Sequence, residues 1–149
     1  MRPSWEQIFV QITELIAKRS TCIRLQVGAI IVKENRIISM GFNGSTSGAE
    51  HCCDIFKNVN ITSKEFYDDH GKFSIYKEVH AEENAIAFAA KNGMSTNGCN
   101  MYVSYTPCIN CAKLCLSAGI KSVYYIKPYD RDMSGKTFLE SNGIICEQI

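Results

Sequence analysis

Three side chains near the middle of this chain have the types and spacing of a metal site, with a carboxylate set among them. His80-Ala81-Glu82 is followed later by Pro107-Cys108-Ile109-Asn110-Cys111. One imidazole and two thiolates fill three corners of a tetrahedral zinc site, and an open fourth corner is what separates a catalytic zinc from a closed structural one. Glu82, two residues from His80, is placed to move protons to and from a water at that open corner. Glu83 falls on the next face and reads as a solvated or structural carboxylate.

The elements that must position these groups follow from local signals. Cys108 and Cys111 are neighbours on one helix face, and Pro107 suits a helix start. A thiolate at a helix N-terminus feels its partial positive charge, which favours the metal-binding form. His80 stands ahead of a helix-prone run from Ala81 to Asn92, ended by Asn92-Gly93. Two helix starts therefore converge on one metal. Either half alone fits a closed zinc site or a chance spacing of thiols. Together and in order they form the H-x-E, P-C-x-x-C signature of zinc-dependent nucleobase deaminases.

The remaining pattern supplies a scaffold. Ser4 and Gln7 form a capping-box pair, and Ile8, Ile12, Leu15 and Ile16 recur at helical spacing, which predicts a first helix to about Lys18 that buries that face. Val27 to Val32 and Arg36 to Met40 read as a hairpin joined by Lys33-Glu34-Asn35. No period holds from Ser45 to Lys77 apart from a short helix near Ser63 to Tyr67; so long a loop in a compact domain is either functional or misassigned, and a functional segment is expected. Strands follow at Asn100 to Ser104, Ser122 to Ile126 and Ile144 to Gln148, alternating with helices from Cys108 to Gly119 and Ser134 to Asn142. That order predicts a mixed sheet with helices on both faces, its last two strands parallel through a right-handed crossover. Ligands in such sheets gather at the carboxyl ends of strands, near Asn43 and Ser104.

Composition narrows the class. The 149 residues, 46% hydrophobic, predict one domain with a substantial core. A net charge of +1 with interspersed signs gives no footprint for nucleic acid or membrane, so a small substrate is expected. Eight cysteines without a signal peptide or a long apolar run, three of them at metal spacing, favour a reducing cytoplasm over a disulfide framework.

In Val27-Gly28-Ala29, Gly41-Phe42-Asn43-Gly44, His80 to Ala85, Pro107 to Lys113 and Ala118-Gly119-Ile120, the chain resembles the deoxycytidylate (dCMP) deaminases of the cytidine deaminase superfamily. Gly44 to Cys53 resembles the bacteriophage and viral type in particular. The resemblance implies a three-layer α/β/α sandwich around a five-stranded mixed sheet. It implies a single domain over 1–149 with an insertion at about 45–77. It further implies zinc-dependent conversion of dCMP to dUMP and ammonia, with His80, Cys108 and Cys111 as ligands and Glu82 as proton shuttle. Asn43 is expected on the sugar 3′-hydroxyl. The phosphate needs donors, and the candidates are Arg24, Ser104, Tyr105, Lys127, Tyr129 and Arg131. In the T-even phage enzymes the positions of Cys22, Cys52, His70 and Glu78 hold a second, structural zinc, with Cys53 an alternative to Cys52. The family also implies a cytoplasmic homohexamer activated by dCTP and inhibited by dTTP, such triphosphates bringing Mg2+. Gly44, Gly48, Phe88 and Lys91 are the expected effector and subunit-contact positions. A deaminase of another cytosine nucleotide such as dCTP, a tRNA adenosine deaminase, and a zinc-stabilised binding module without activity all remain open on the sequence.

Overall fold

The computed structural model describes residues 1–149. Helix α1 (Trp5–Ala17) begins at the Ser4–Gln7 capping box. Strands β1 (Gly28–Lys33) and β2 (Arg36–Phe42) form the hairpin, with Glu34 and Asn35 both at positive φ in its two-residue turn. A short strand β3 (Gly44–Ser45) pairs with β4 (Glu78–Val79), and between them lie α2 (Cys52–Ile55) and α3 (Lys64–Lys77). Then come α4 (Ala81–Lys91), β5 (Asn100–Tyr105), α5 (Ile109–Ser117), β6 (Ser122–Lys127), α6 (Ser134–Ser141) and β7 (Ile145–Gln148).

The main sheet has the order β2-β1-β5-β6-β7. β1 is antiparallel to both neighbours, while β5, β6 and β7 run parallel through the crossovers α5 and α6. Alternation along β1 divides the core: Ala29 and Ile31 face a large cluster shared with Ala81, Ala85, Ala112 and Leu139, whereas Ile30 and Val32 face Phe9 and Tyr102. Helix α1 therefore covers one face alone, and α4, α5 and α6 cover the other. The result is a three-layer α/β/α sandwich around a five-stranded mixed sheet. No helix is long and apolar enough to cross a membrane.

Two expectations need correction. Leu15 does not belong to the buried stripe of α1: it is 62% exposed, and Phe9, Thr13 and Ala17 are buried instead. The small Thr13 and Ala17 let the helix settle directly on β1, which rotates the stripe away from Leu15. The segment 45–77 is also far more ordered than a structureless loop with one short helix. Helix α3 has fourteen residues, but its inward side is only Phe66, His70 and Phe73, interrupted by polar residues and Gly71. Phe56 and Phe66 stack around His70, with ring centroids 5.7 and 5.2 Å away. A histidine at a core position hides the apolar period.

Candidate active site

His80 is the N-cap of α4 and Cys108 the N-cap of α5, so two helix starts meet at one point. The His80 Nδ1 atom lies 3.6 Å from Cys108 Sγ and 3.4 Å from Cys111 Sγ. Zinc bound at about 2.3 Å to sulfur and about 2.0 Å to nitrogen spaces its ligands by roughly 3.6 Å around a tetrahedron. The three donors therefore fit the ion, and they leave one corner uncovered by protein.

The local chemistry explains each placement. The Cys108 sulfur accepts the Cys111 backbone N–H at 3.5 Å, capping α5. Hydrogen bonds from the Cys111 thiol, and then from His80, hold Cys108 down to about 4, well below an ordinary thiol. Cys111 is pushed up because it supplies the proton of that bond. His80 is lifted to about 9, chiefly by its bond to Cys108. A cluster that already concentrates negative charge on sulfur is one that a cation completes. Glu83 caps α4, its Oε2 accepting the His80 backbone N–H at 2.9 Å. It is a structural carboxylate.

Glu82 lies one residue further into α4 than the first turn's opening position, and its side chain is buried at 5% exposure. Burial pushes its carboxyl up to about 7, against hydrogen bonding from its own backbone amide and the charge on His80. It faces a cavity of about 230 Å³ together with His80, Cys108, Asn43, Tyr105 and Tyr129. A carboxyl poised near neutrality beside a three-ligand zinc site can both accept and return a proton.

Several residues reach the cavity through long-range ties. Asn43 accepts the Val27 N–H at 2.8 Å and donates to the Leu25 carbonyl at 2.8 Å, so its amide braces the loop beneath Arg24 while lining the cavity. Tyr129 is placed by its N–H donating to Thr106 Oγ1 at 3.1 Å. Arg24 lines the rim and donates to the Tyr129 hydroxyl at 3.4 Å. Ser104 is not part of this group: its hydroxyl accepts the Gly28 N–H at 2.9 Å and donates to the Gly28 carbonyl at 3.2 Å, which joins β5 to β1 away from the cavity. Lys127 lies with Ser104 in a separate cleft. Arg131 is outside the lining as well, reaching the ring of Tyr67 instead.

Glycine does positioning work that local sequence cannot announce. A side chain at Gly41 would meet the Ala81 carbonyl at 2.4 Å and the Ala85 nitrogen at 2.6 Å. Its absence lets β2 press against the first turn of α4, where Glu82 sits. At the start of α6, a side chain on Gly135 would fall 2.0 Å from the Pro107 carbonyl.

A second donor cluster borders the first. Cys22, Cys52, His70 and Glu78 bring four ligand atoms within 4.8 Å of one another. His70 Nε2 is 3.4 Å from Cys22 Sγ and 4.0 Å from Glu78 Oε2. Burial lowers the His70 pKa, keeping the imidazole neutral and able to ligate, and pushes Cys52 up to about 12. Glu78 Oε1 is buried without a hydrogen-bond partner. Cys53 is outside the cluster. Gly44, Phe88 and Lys91 line a separate cavity of about 530 Å³, whereas Gly48 is an open turn at φ +82° beyond it.

An α/β/α sandwich whose two helix starts present one imidazole, one thiol and a buried carboxyl to one cavity, with a second thiol beside them, defines a zinc-type nucleobase deaminase. Residues 3–127 match the model of the cytidine and deoxycytidylate deaminase zinc-binding region, and the chain belongs to that family. It is 40% identical to ComE operon protein 2 of Bacillus subtilis (strain 168) over 148 residues, covering 99% of this chain and 72% of that one. It is 37% identical to the deoxycytidylate deaminase of Enterobacteria phage T4 over 153 residues, covering 85% of this chain and 79% of the relative. The crystal structure of dCMP deaminase from the cyanophage S-TIM5 in complex with dCMP and dUMP superposes with a TM-score of 0.80 at 31% identity. The match covers 100% of this chain and 99% of that one.

Proposed function

We propose that this chain hydrolyses dCMP to dUMP and ammonia, supplying dUMP for thymidylate synthesis. The observation that carries the reading is Glu82, a buried carboxyl in a cavity it shares with His80 and Cys108 and whose rim bears Arg24 and Tyr129. The phage deoxycytidylate deaminase and the cyanophage complex with dCMP and dUMP support that substrate. His80, Cys108 and Cys111 would hold the zinc, whose Lewis acidity makes water a nucleophile near neutral pH. Glu82 takes the proton of the attacking water and delivers it to ring nitrogen 3 as carbon 4 becomes tetrahedral. It then takes the proton of the new carbon 4 hydroxyl and gives it to the amine, which departs as ammonia as the carbonyl forms, so one carboxyl serves twice. Asn43 faces the sugar, with Tyr105 beside it, and Arg24 and Tyr129 face the phosphate, with Arg131 beyond the lining against Tyr67.

Regulation belongs to the larger cavity. Arg19 and Lys91 supply positive charge there, and Thr21 Oγ1, Ser45 Oγ and His51 Nδ1 are buried without partners. These groups suit the phosphates of dCTP as activator and dTTP as inhibitor, with Mg2+ accompanying the triphosphate. Met40 and Phe88, each 52% exposed beside it, suit contact with a second copy in a homohexamer. A cytoplasmic setting accords with eight unpaired cysteines.

Ammonia release from dCMP, dCTP, deoxycytidine and cytosine, with and without dCTP-Mg2+ or dTTP, tests the reading. Turnover of dCMP that dCTP raises and dTTP suppresses is the expected result. Turnover of only another substrate would overturn the assignment of dCMP, and indifference to both triphosphates would overturn the regulation.

We assign Cys22, Cys52, His70 and Glu78 to a second, structural zinc that pins α3 to the loop after α1. A closed four-ligand site stabilises the fold rather than the reaction. Metal analysis is expected to give two zinc ions per chain. Cys52→Ala is expected to keep one and to lower the thermal midpoint by about 10 °C, equivalent to roughly 3 kcal/mol in a domain of this size. A single zinc in the wild type would refute the assignment.

A further inference from the structure

Two arginines from distant segments converge on one tyrosine of the insertion. The Arg24 guanidinium, in the loop after α1, lies 5.2 Å from the centre of the Tyr67 ring, and that of Arg131, in the loop after β6, lies 5.7 Å from it. Arg24 also donates to the Tyr129 hydroxyl. Neither arginine has a carboxylate: the ion pairs of the chain are His70–Glu78 and Lys136–Glu140. Asp68, Asp69, Asp130 and Asp132 are neighbours in sequence, and none pairs with them. Two like charges therefore share one ring without a carboxylate to neutralise either.

Their location gives this arrangement a use. Tyr67 shares a helix face with His70 and Ser74, at i, i+3 and i+7, and those two residues line the cavity that contains Glu82. Tyr67 is thus one turn of α3 out from the cavity wall, at the rim where Arg24 and Tyr129 stand. On an open surface two guanidiniums would repel and swing apart. The Tyr67 ring attracts each of them and holds both at the same side chain. The Tyr67 hydroxyl is itself drawn below the ordinary phenol range, first by a hydrogen bond from Arg131 and then by the charges of Arg131 and Arg24, as expected for a phenol fixed between them. What the pair lacks is an anion with oxygens enough for two forks, which a phosphate monoester has.

We propose that Tyr67 is a positioning residue for the nucleotide phosphate: its ring gathers Arg24 and Arg131 at the rim of the cavity, so that the insertion helix makes the enzyme prefer a nucleotide over a nucleoside. The inference rests on the reading of the site as a nucleotide deaminase. It assigns the preference to a residue that touches neither the base nor the zinc ligands.

Steady-state kinetics of the zinc-loaded enzyme on dCMP and deoxycytidine test it, for wild type, Tyr67→Leu and Tyr67→Phe. Tyr67→Leu is expected to raise KM for dCMP about tenfold, to hold kcat within about twofold, and to leave kcat/KM for deoxycytidine unchanged. Tyr67→Phe keeps the ring but loses the hydroxyl that Arg131 bonds, and should fall between wild type and Tyr67→Leu in KM for dCMP while leaving kcat and the deoxycytidine reaction unchanged. Inorganic phosphate, titrated calorimetrically, should bind Tyr67→Leu about tenfold more weakly than wild type, a readout that needs no turnover. An unchanged KM and phosphate affinity in Tyr67→Leu would overturn the proposal, as would equal losses of kcat on both substrates, which mark a merely structural role. A wild type inactive on dCMP but binding phosphate in a Tyr67-dependent way would overturn the substrate and leave the clamp standing.

Discussion

Glu82→Gln is expected to lower kcat about ten-thousand-fold, with kcat/KM falling in step and zinc content unchanged. A single general acid–base group is worth about 10² to 10⁴ in rate. Glu82 stands at the top of that range because in the proposed reaction it makes every proton transfer: from the water, to the ring, and to the leaving amine. No other carboxylate lines the cavity except Glu78, which lies within bonding range of His70 in the second cluster. The loss corresponds to roughly 5 kcal/mol of transition-state stabilisation at 1.36 kcal/mol per tenfold. Glutamine has nearly the same volume, so packing against the neighbouring helix starts is retained, and an amide cannot take a proton. Ammonia release alongside metal analysis and thermal melting checks the result. A variant that keeps its zinc and its melting temperature yet stays within tenfold of wild type would show that some other group carries the protons.

What could be read in advance, and what could not, divides by the range over which each residue acts. The assembly of the candidate cluster was legible because its chemistry and its scaffold are both local: a histidine, two cysteines and a carboxylate each placed by the first turn of the helix they begin. The continuous apolar run of β1 and the parallel crossover from β6 to β7 were legible for the same reason. Helix α3 was not, since its inward side is built from two phenylalanines and a histidine that is itself a candidate ligand. Leu15 misled because periodicity gives the existence of a stripe better than its centre. Ser104 is a polar residue at a strand end, which reads as a ligand contact until β1 supplies Gly28 as its partner from 76 positions away. Tyr67 offered no signal, because its two cations arrive from opposite ends of the chain.

Gly135 shows the same limit with the largest structural consequence, since a glycine inside a helix reads locally as a weak point. Here it is the place where α6 touches the backbone that presents Cys108, a proposed zinc ligand. A methyl group at this position would lie 2.0 Å from the Pro107 carbonyl oxygen and 2.9 Å from both the carbonyl carbon and oxygen of Cys108. These are backbone atoms and cannot turn aside as a side chain would. Either α6 withdraws, loosening the core around the fully buried Leu139, or Pro107 and Cys108 move and carry Sγ out of a cluster whose spacings to His80 are 3.6 and 3.4 Å. Gly135→Ala is therefore expected to destabilise the chain by about 1–3 kcal/mol. It should also lower kcat/KM by about a hundredfold, the usual penalty for displacing reacting groups by about 1 Å, with weaker zinc retention against a chelator. Gly71→Ala is the contrasting case, since nothing lies within 4 Å of a side chain there and α3 gains a better helix former. It should stabilise by up to about 1 kcal/mol with activity intact. If the two alanine variants melt and turn over alike, the contact between α6 and the Cys108 loop has no part in holding the metal ligands, and Gly135 is only a gap in a helix.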